Sequence, residues 1–196
     1  LLAVRNANGT VYFDGAQLEE SDISDKYNLL ENNGFDFKEN ANAPALWQTS
    51  SLENGDVVAD GKMKVVGNPE RLKKISQEVV LSNAKQTDSY TCSAWALAQA
   101  VPFKENRDFA INAYVVYEDS NGNELVEQKG EYHFDYQDYT SQYASGGFTL
   151  ANEDDSLTPV KIRVELCYYN QCNTVYFDRI ALYRSPDVYD TLSEDE

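Results

Sequence analysis

Five side chains on three predicted strands are of the types that recognise sugars. Apolar and polar residues alternate in the segments SYTCSAWALA (89–98), FAINAYVVY (109–117) and VKIRVELCYY (160–169). Successive side chains of a strand point to opposite faces of its sheet, so the alternation predicts one apolar and one mixed face. The mixed face would carry Trp95, Asn112, Tyr114, Arg163 and Glu165. Aromatic rings cover the apolar face of a pyranose and polar groups pair with its hydroxyls, so these five residues predict a glycan site.

Another interpretation of this face stays open. Loops could cover it, and Trp95 would then be a packing residue of a second layer. Trp47, in the ALW segment, is expected to pack rather than to contact a ligand.

Two cysteines bracket a predicted turn. Cys167 and Cys172 flank YYNQ, where a β-hairpin is expected. Directly opposed residues of antiparallel strands have Cα atoms about 4.5–5.5 Å apart, which a disulfide can span. A Cys167–Cys172 disulfide is therefore predicted, and it would indicate an oxidising exterior. Cys92 lies on the apolar side of its strand and is expected to be an inert buried thiol.

Sequence patterns of catalysis are absent. His133 is the only histidine, and no cysteine pair has zinc-site spacing. The chain contains no nucleotide-binding loop and no G-x-S-x-G motif. Its 33 acidic residues do not single out a glycosidase pair. A non-enzymatic protein is expected.

Composition and charge exclude two classes of partner. The formal net charge is −17, and no cluster of Lys or Arg offsets it. This charge repels phosphate backbones and anionic membrane surfaces, so neither nucleic acid nor a membrane is an expected partner. No apolar run is long enough for a transmembrane span.

Short strand patterns separated by turn signals fill the chain. Besides the three segments above, strands are predicted for KMKVVG (62–67), KKISQEVVL (73–81), FTLAN (148–152) and TVYFDRIALY (174–183). Between them lie Gly, Pro and Asn clusters, and no long window has helical periodicity. The expected fold is all-β: a two-sheet antiparallel β-sandwich of jelly-roll type.

A repeated phrase divides the chain. TVYFD occurs at 10–14 and again at 174–178, each followed by a leucine at the same distance, with an offset of 164 residues. Each copy is predicted to close a β-hairpin. This spacing suggests tandem modules: 1–20 as the last hairpin of a truncated module, 21–27 as an acidic linker, 28–183 as a complete module and 184–196 as an acidic tail.

Three segments resemble a known family. LLENNGFDF with ALWQ (29–37 and 45–48) resembles the opening of galactose-binding-type jelly-roll modules, to which carbohydrate-binding modules belong. ISQEVVLSNAKQTDSYTCSAWALA (75–98) resembles their middle, and TVYFDRIALY resembles their closing strand. Tandem copies with similar endings occur in bacterial YD-repeat (Rhs-type) wall-associated proteins, which this chain also resembles.

The resemblance implies a structural calcium ion. In such modules an acidic residue of the opening motif and the Asp of the closing strand flank the ion, which corresponds to Asp36 and Asp178 here. This sequence has Asp36 where Glu is common. Two close carboxylates are unfavourable without a cation between them. The alternative is two surface residues that bond to turns. Asp14 has no opening motif of its own and is expected to be metal-free.

The predicted function is that of a non-catalytic carbohydrate-binding-like module from a secreted or wall-associated bacterial protein, outside the cell. It would bind a glycan weakly through one sheet face or through its rim loops, and adjacent tandem modules would add avidity. The alternative is a structural spacer or adhesion module with no sugar ligand.

Overall fold

The computed structural model describes residues 27–98, 108–134 and 141–185, which form twelve β-strands. The strands are β1 (Lys38–Asn40), β2 (Ala43–Pro44), β3 (Gln48–Ser50), β4 (Val57–Ala59), β5 (Lys62–Val66), β6 (Leu72–Val80), β7 (Ser89–Ala98), β8 (Asp108–Glu118), β9 (Glu124–His133), β10 (Ser141–Thr149), β11 (Thr158–Tyr169) and β12 (Thr174–Ser185). In this part of the chain, no helix has the length and apolar character needed to cross a membrane.

Ten of the twelve strands form two antiparallel sheets of five strands each. One has the order β10-β7-β12-β5-β4 and is called the β7–β12 sheet. The other has the order β3-β6-β11-β8-β9 and is called the β8–β11 sheet. The first two strands, β1 and β2, form a separate two-stranded sheet.

The two sheets bury a shared apolar core. Phe109 of β8 and Phe177 of β12 come from different sheets, and their ring centroids are 5.9 Å apart. Phe134 stacks on Phe109 at 4.7 Å. Alternate residues of each long strand face this core, as the period of a half-buried strand requires. The prediction of an all-β, two-sheet antiparallel sandwich with a jelly-roll fold is confirmed.

The predicted strands correspond to β5, β6, β7, β8, β10, β11 and β12. Strand β9 was not predicted, because it is an edge strand whose residues are largely exposed and show little apolar alternation. Strand β10 begins at Ser141 rather than at 148.

The predicted hairpin between residues 160 and 183 is wrong. Strand β11 pairs with β6 and β8, whereas β12 pairs with β5 and β7, so the turn around Asn170 carries the chain from one sheet to the other. Alternating patterns on both sides of a turn are the same for a hairpin and for a corner between sheets. The first TVYFD copy, including Asp14, lies outside the described residues.

The described part of the chain starts against its last strand. Asn28 donates from Nδ2 to the carbonyl of Ile180 (3.0 Å), and its Oδ1 accepts from the backbone N–H of Leu182 (3.0 Å). Strand β12 continues to Ser185, two residues past the boundary expected at 183. Residues 1–20 and most of the expected linker and tail fall outside the described ranges.

Candidate functional site

Four of the five predicted glycan residues share the outer face of the β8–β11 sheet. In the register of β8 and β11, Arg163 is opposite Tyr114 and Glu165 is opposite Asn112. Each strand turns its apolar residues to the core, which leaves these four side chains on the other side. Together with Lys74 of β6 they are called the polar face.

Charge pairing organises the polar face. Lys74 Nζ is 2.8 Å from Oε1 of Glu165, whose side chain is only 6% exposed. The Tyr114 hydroxyl donates to the same oxygen at 3.3 Å. Arg163 lies over the Tyr114 ring, with its Cζ 4.6 Å from the ring centroid. Burial, followed by the negative charge of Glu165, raises the pKa of Tyr114 to about 12.

Two buried atoms of the polar face have no hydrogen-bond partner. They are Asn112 Oδ1, an acceptor, and Arg163 Nε, a donor. Asn112 is only 4% exposed. Buried polar atoms are nearly always paired in proteins, so this acceptor and this donor are exceptions that an ordered water or a polar ligand would satisfy.

Lys74 was not among the predicted site residues. The alternation in KKISQEVVL places Lys74, Ser76 and Glu78 on the side opposite Ile75, and this was the available signal. Because the pairing of β6 with β11 cannot be read from local sequence, the contact of Lys74 with Glu165 could not be predicted.

Trp95 does not belong to the polar face. It lies on β7, in the other sheet, directly opposite Tyr143 and Asp178. Its ring centroid is 5.2 Å from that of Tyr143, and the guanidinium of Arg179 lies over it at 4.7 Å. The prediction that one face carries all five residues is therefore wrong. Trp95, Tyr143 and Arg179 form a separate aromatic face on the β7–β12 sheet, which alternation alone could not assign to a sheet.

Trp47 is a packing residue, as predicted. It is 5% exposed, and its ring centroid is 5.2 Å from that of the fully buried Phe35. Its indole N–H donates to the carbonyl of Asn32 at 3.1 Å. This contact holds the opening motif against the core.

The predicted disulfide between Cys167 and Cys172 is not formed. Both residues, like Cys92, are present as thiols. The reason is that the chain passes from one sheet to the other between the two cysteines. Cys167 is opposite Lys74 and Ala110 in the β8–β11 sheet. Cys172 lies two residues before β12, which belongs to the β7–β12 sheet. Burial raises the pKa of Cys92 to about 12 and also raises the pKa of Cys167. A disulfide therefore no longer supports the prediction of an oxidising, extracellular environment.

Asp36 and Asp178 border the same glycine. A Cβ atom on Gly34 would lie 3.3 Å from Oδ2 of Asp36 and 4.0 Å from Oδ1 of Asp178. The carbonyl of Asn33 accepts from the backbone N–H of Ile180 at 2.9 Å, which docks the opening motif on β12. Asp178 also has Arg179 Nε at 3.5 Å from its Oδ2. The carboxylates of Asp36 and Asp178, which are far apart in the sequence, therefore both lie close to Gly34.

A third group was not predicted at all. Ligand atoms of Asp108, Glu131 and His133 lie within 4.8 Å of one another, an arrangement that could hold a metal ion. Asp108 and His133 are on neighbouring strands, and β9 was absent from the prediction.

No family model matches the sequence, and the comparison with curated proteins found no match either. Solved structures with similar folds include carbohydrate-binding modules described as CBM4, CBM22 and CBM61. For the CBM22-2 xylan-binding domain from Paenibacillus barcinonensis Xyn10C, the TM-score is 0.44 at 13% identity, covering 74% of this chain and 94% of that chain.

Enzymes also occur among the similar structures. A cyclase from Fischerella sp. TAU has a TM-score of 0.48 at 15% identity, covering 80% of this chain and 96% of that chain. The enzymatically active domain of bacteriophage CBA120 tailspike protein 4 has a TM-score of 0.47 at 9% identity. The match covers 81% of this chain and only 21% of the tailspike chain.

Proposed function

We propose that this chain is a non-catalytic carbohydrate-binding module that holds a glycan weakly on its polar face. The observation that carries the proposal is the pair of unpaired buried atoms, Asn112 Oδ1 and Arg163 Nε, on either side of the Tyr114–Glu165 contact. Sugar hydroxyls both donate and accept hydrogen bonds, so one glycan can pair with both atoms.

The neighbouring contacts favour a prepared site. Glu165 is held by Lys74 and by the Tyr114 hydroxyl, and Arg163 is held over the Tyr114 ring. Side chains that are already ordered lose little rotamer freedom when a ligand arrives, which favours binding. The charges of Lys74 and Glu165 are paired with each other, and the guanidinium of Arg163 is the remaining charge of the polar face.

A calcium ion between Asp36 and Asp178 is part of the proposal. The donor set fits a hard cation: two carboxylates converge at Gly34, and the Gly34 carbonyl lies beside Asp36 near Gly61. The ion would offset the repulsion of the carboxylates and fasten the opening motif to β12. It would take no part in binding the glycan.

The setting of the module is proposed on the sequence. The second TVYFD copy at an offset of 164 residues supports tandem modules, and the resemblance to YD-repeat proteins supports a bacterial cell-surface or wall location outside the cell. Weak single sites gain avidity when several adjacent modules bind one polymer.

The test begins with a glycan array probed with the whole chain, followed by calorimetry with the glycans it retains. Arg163→Gln and Asn112→Ala should each weaken binding by about tenfold, as the loss of a charge-assisted or buried hydrogen bond predicts. Melting temperatures of both variants establish that they fold.

Trp95→Ala is the matched control, because Trp95 is on the opposite sheet. Affinity should be unchanged in this variant. If Trp95→Ala lowers the affinity and Arg163→Gln does not, the glycan binds at the aromatic face and the proposed location is wrong. If no glycan binds, the alternative function as a structural spacer or adhesion module replaces the proposal.

A further inference from the structure

One end of the β8–β11 sheet brings imidazole and carboxylate groups together. Glu131 and His133 are two residues apart on β9, so they point to the same side, and His133 is directly opposite Ala110. The small Ala110 leaves room for the imidazole between Glu131 and Asp108. His133 Nε2 is 3.1 Å from Oε1 of Glu131, and its Nδ1 is 3.7 Å from Oδ1 of Asp108.

Asp108 carries an unsatisfied hydrogen-bond acceptor at this end of the sheet. Its Oδ1 is buried and has no hydrogen-bond partner. The imidazole does not supply one, since 3.7 Å is too long for a hydrogen bond. The three residues thus form a group in which the buried Oδ1 of Asp108 has no hydrogen-bond partner, while the Cys167 thiol lies close enough to the Asp108 carboxylate for that charge to help raise the thiol's pKa.

Gln171 is a second observation of the same kind. It is fully buried, and its Nε2 donates to the Asp108 carbonyl at 3.2 Å. Its Oε1 is buried without a partner. Gln171 therefore leaves an unpaired acceptor on a side chain that is hydrogen-bonded to the Asp108 backbone, and the unpaired Oδ1 of Asp108 is the acceptor within the group that a bound cation would stabilise.

We propose that Asp108, Glu131 and His133 bind one divalent transition-metal ion of the Zn²⁺ class. Imidazole nitrogen suits Zn²⁺ and its neighbours in the first transition row, whereas Ca²⁺ is bound by oxygen ligands alone. Three protein ligands leave a fourth position for water. His133 and Glu131 are each about half exposed, so their side chains can turn until one imidazole nitrogen and both carboxylates meet the ion.

This site has its own ligands but adjoins the polar face. It lies at the end of the sheet where β11 finishes, and Glu131 is directly opposite Asn112 in the register of β8 and β9. It is also distinct from the calcium pair, which joins the opening motif to β12 in the other sheet.

The single histidine of the chain makes the test direct. Long-range proton–nitrogen NMR spectra of the whole chain report one imidazole. One equivalent of Zn²⁺ should shift its ring-nitrogen signals, and calorimetry should show one site. An excess of Ca²⁺ should leave these signals in place. The proposal is overturned if a tenfold excess of Zn²⁺ leaves the imidazole signals unchanged.

Variants assign the other ligands. Asp108→Asn and Glu131→Gln should each weaken Zn²⁺ binding by at least about tenfold, the lower end of the effect known even for outer-shell partners. Glu39→Gln removes one charge at an exposed position of β1 and should bind Zn²⁺ as the parent does. Parent affinity in Asp108→Asn would contradict the assignment. If that variant fails to fold, the NMR titration of the unmodified chain decides.

Discussion

The guanidinium of Arg163 lies 4.6 Å from the centroid of the Tyr114 ring, and the two residues are direct cross-strand neighbours on β11 and β8. This pair joins the two central strands of the β8–β11 sheet on the side away from the core. The Tyr114 hydroxyl continues the contact to Glu165, and Glu165 continues it to Lys74. Four of the five side chains of the polar face, all except Asn112, are therefore linked in one network.

The Tyr114 phenol should make stability depend on alkaline pH. Its pKa is raised from 10.0 to about 12 by burial and by Glu165. Stability from this group is complete below pH 10.0 and is lost as the pH rises toward 12, because the unfolded chain loses its phenolic proton first. Urea unfolding at several pH values should show a smaller loss over this window for Tyr114→Phe. Equal losses in both proteins would contradict the assignment.

Calcium should raise the melting temperature if Asp36 and Asp178 hold it. A ligand at about 100 times its Kd adds about 2.7 kcal/mol to the free energy of unfolding. The rise should disappear in Asp178→Asn and persist in Glu39→Gln, which loses the same charge at an exposed site. A chelator that leaves the melting temperature of the unmodified chain unchanged would count against the site.

Lys73 should be the most sensitive charged residue of the β8–β11 sheet. It is 2% exposed, and its Nζ is 2.8 Å from Oδ2 of Asp56 and 2.7 Å from the Val66 carbonyl. Lys73→Met leaves the fully buried Asp56 without its cation, which should cost about 3–5 kcal/mol in denaturant unfolding. Lys38→Met, at an exposed position, should change stability by less than about 0.5 kcal/mol. Similar effects of the two changes would show that the ion pair is not a structural requirement.

The cysteines should titrate as three thiols. Cys172 is exposed, whereas Cys92 and Cys167 are buried and have raised pKa values. A thiol reagent such as DTNB should therefore modify one cysteine in the native protein and all three after denaturation without a reductant. Only one reactive thiol in the denatured protein would show that the disulfide exists after all.

Local sequence was sufficient for most of the strands and for the sandwich. Alternation over segments such as FAINAYVVY identifies the buried side of a strand, since a half-buried strand must place every second residue in the core. Alternation also placed Asn112 and Arg163 on the sides of their strands that face away from the core. It failed for β9, because an edge strand with exposed residues needs no apolar alternation.

The sequence by itself determined the all-β fold and the core side of the recognised strands, because these follow from side-chain period, and the resemblance to jelly-roll modules implied that the opening and closing motifs meet. Only the tertiary structure decided which strands share a sheet. It separated Trp95 from Tyr114, separated Cys167 from Cys172, and brought Asp108 to His133. Pairing between distant strands is selected by the packing of the whole core, and a local pattern reads the same whichever sheet the strand joins.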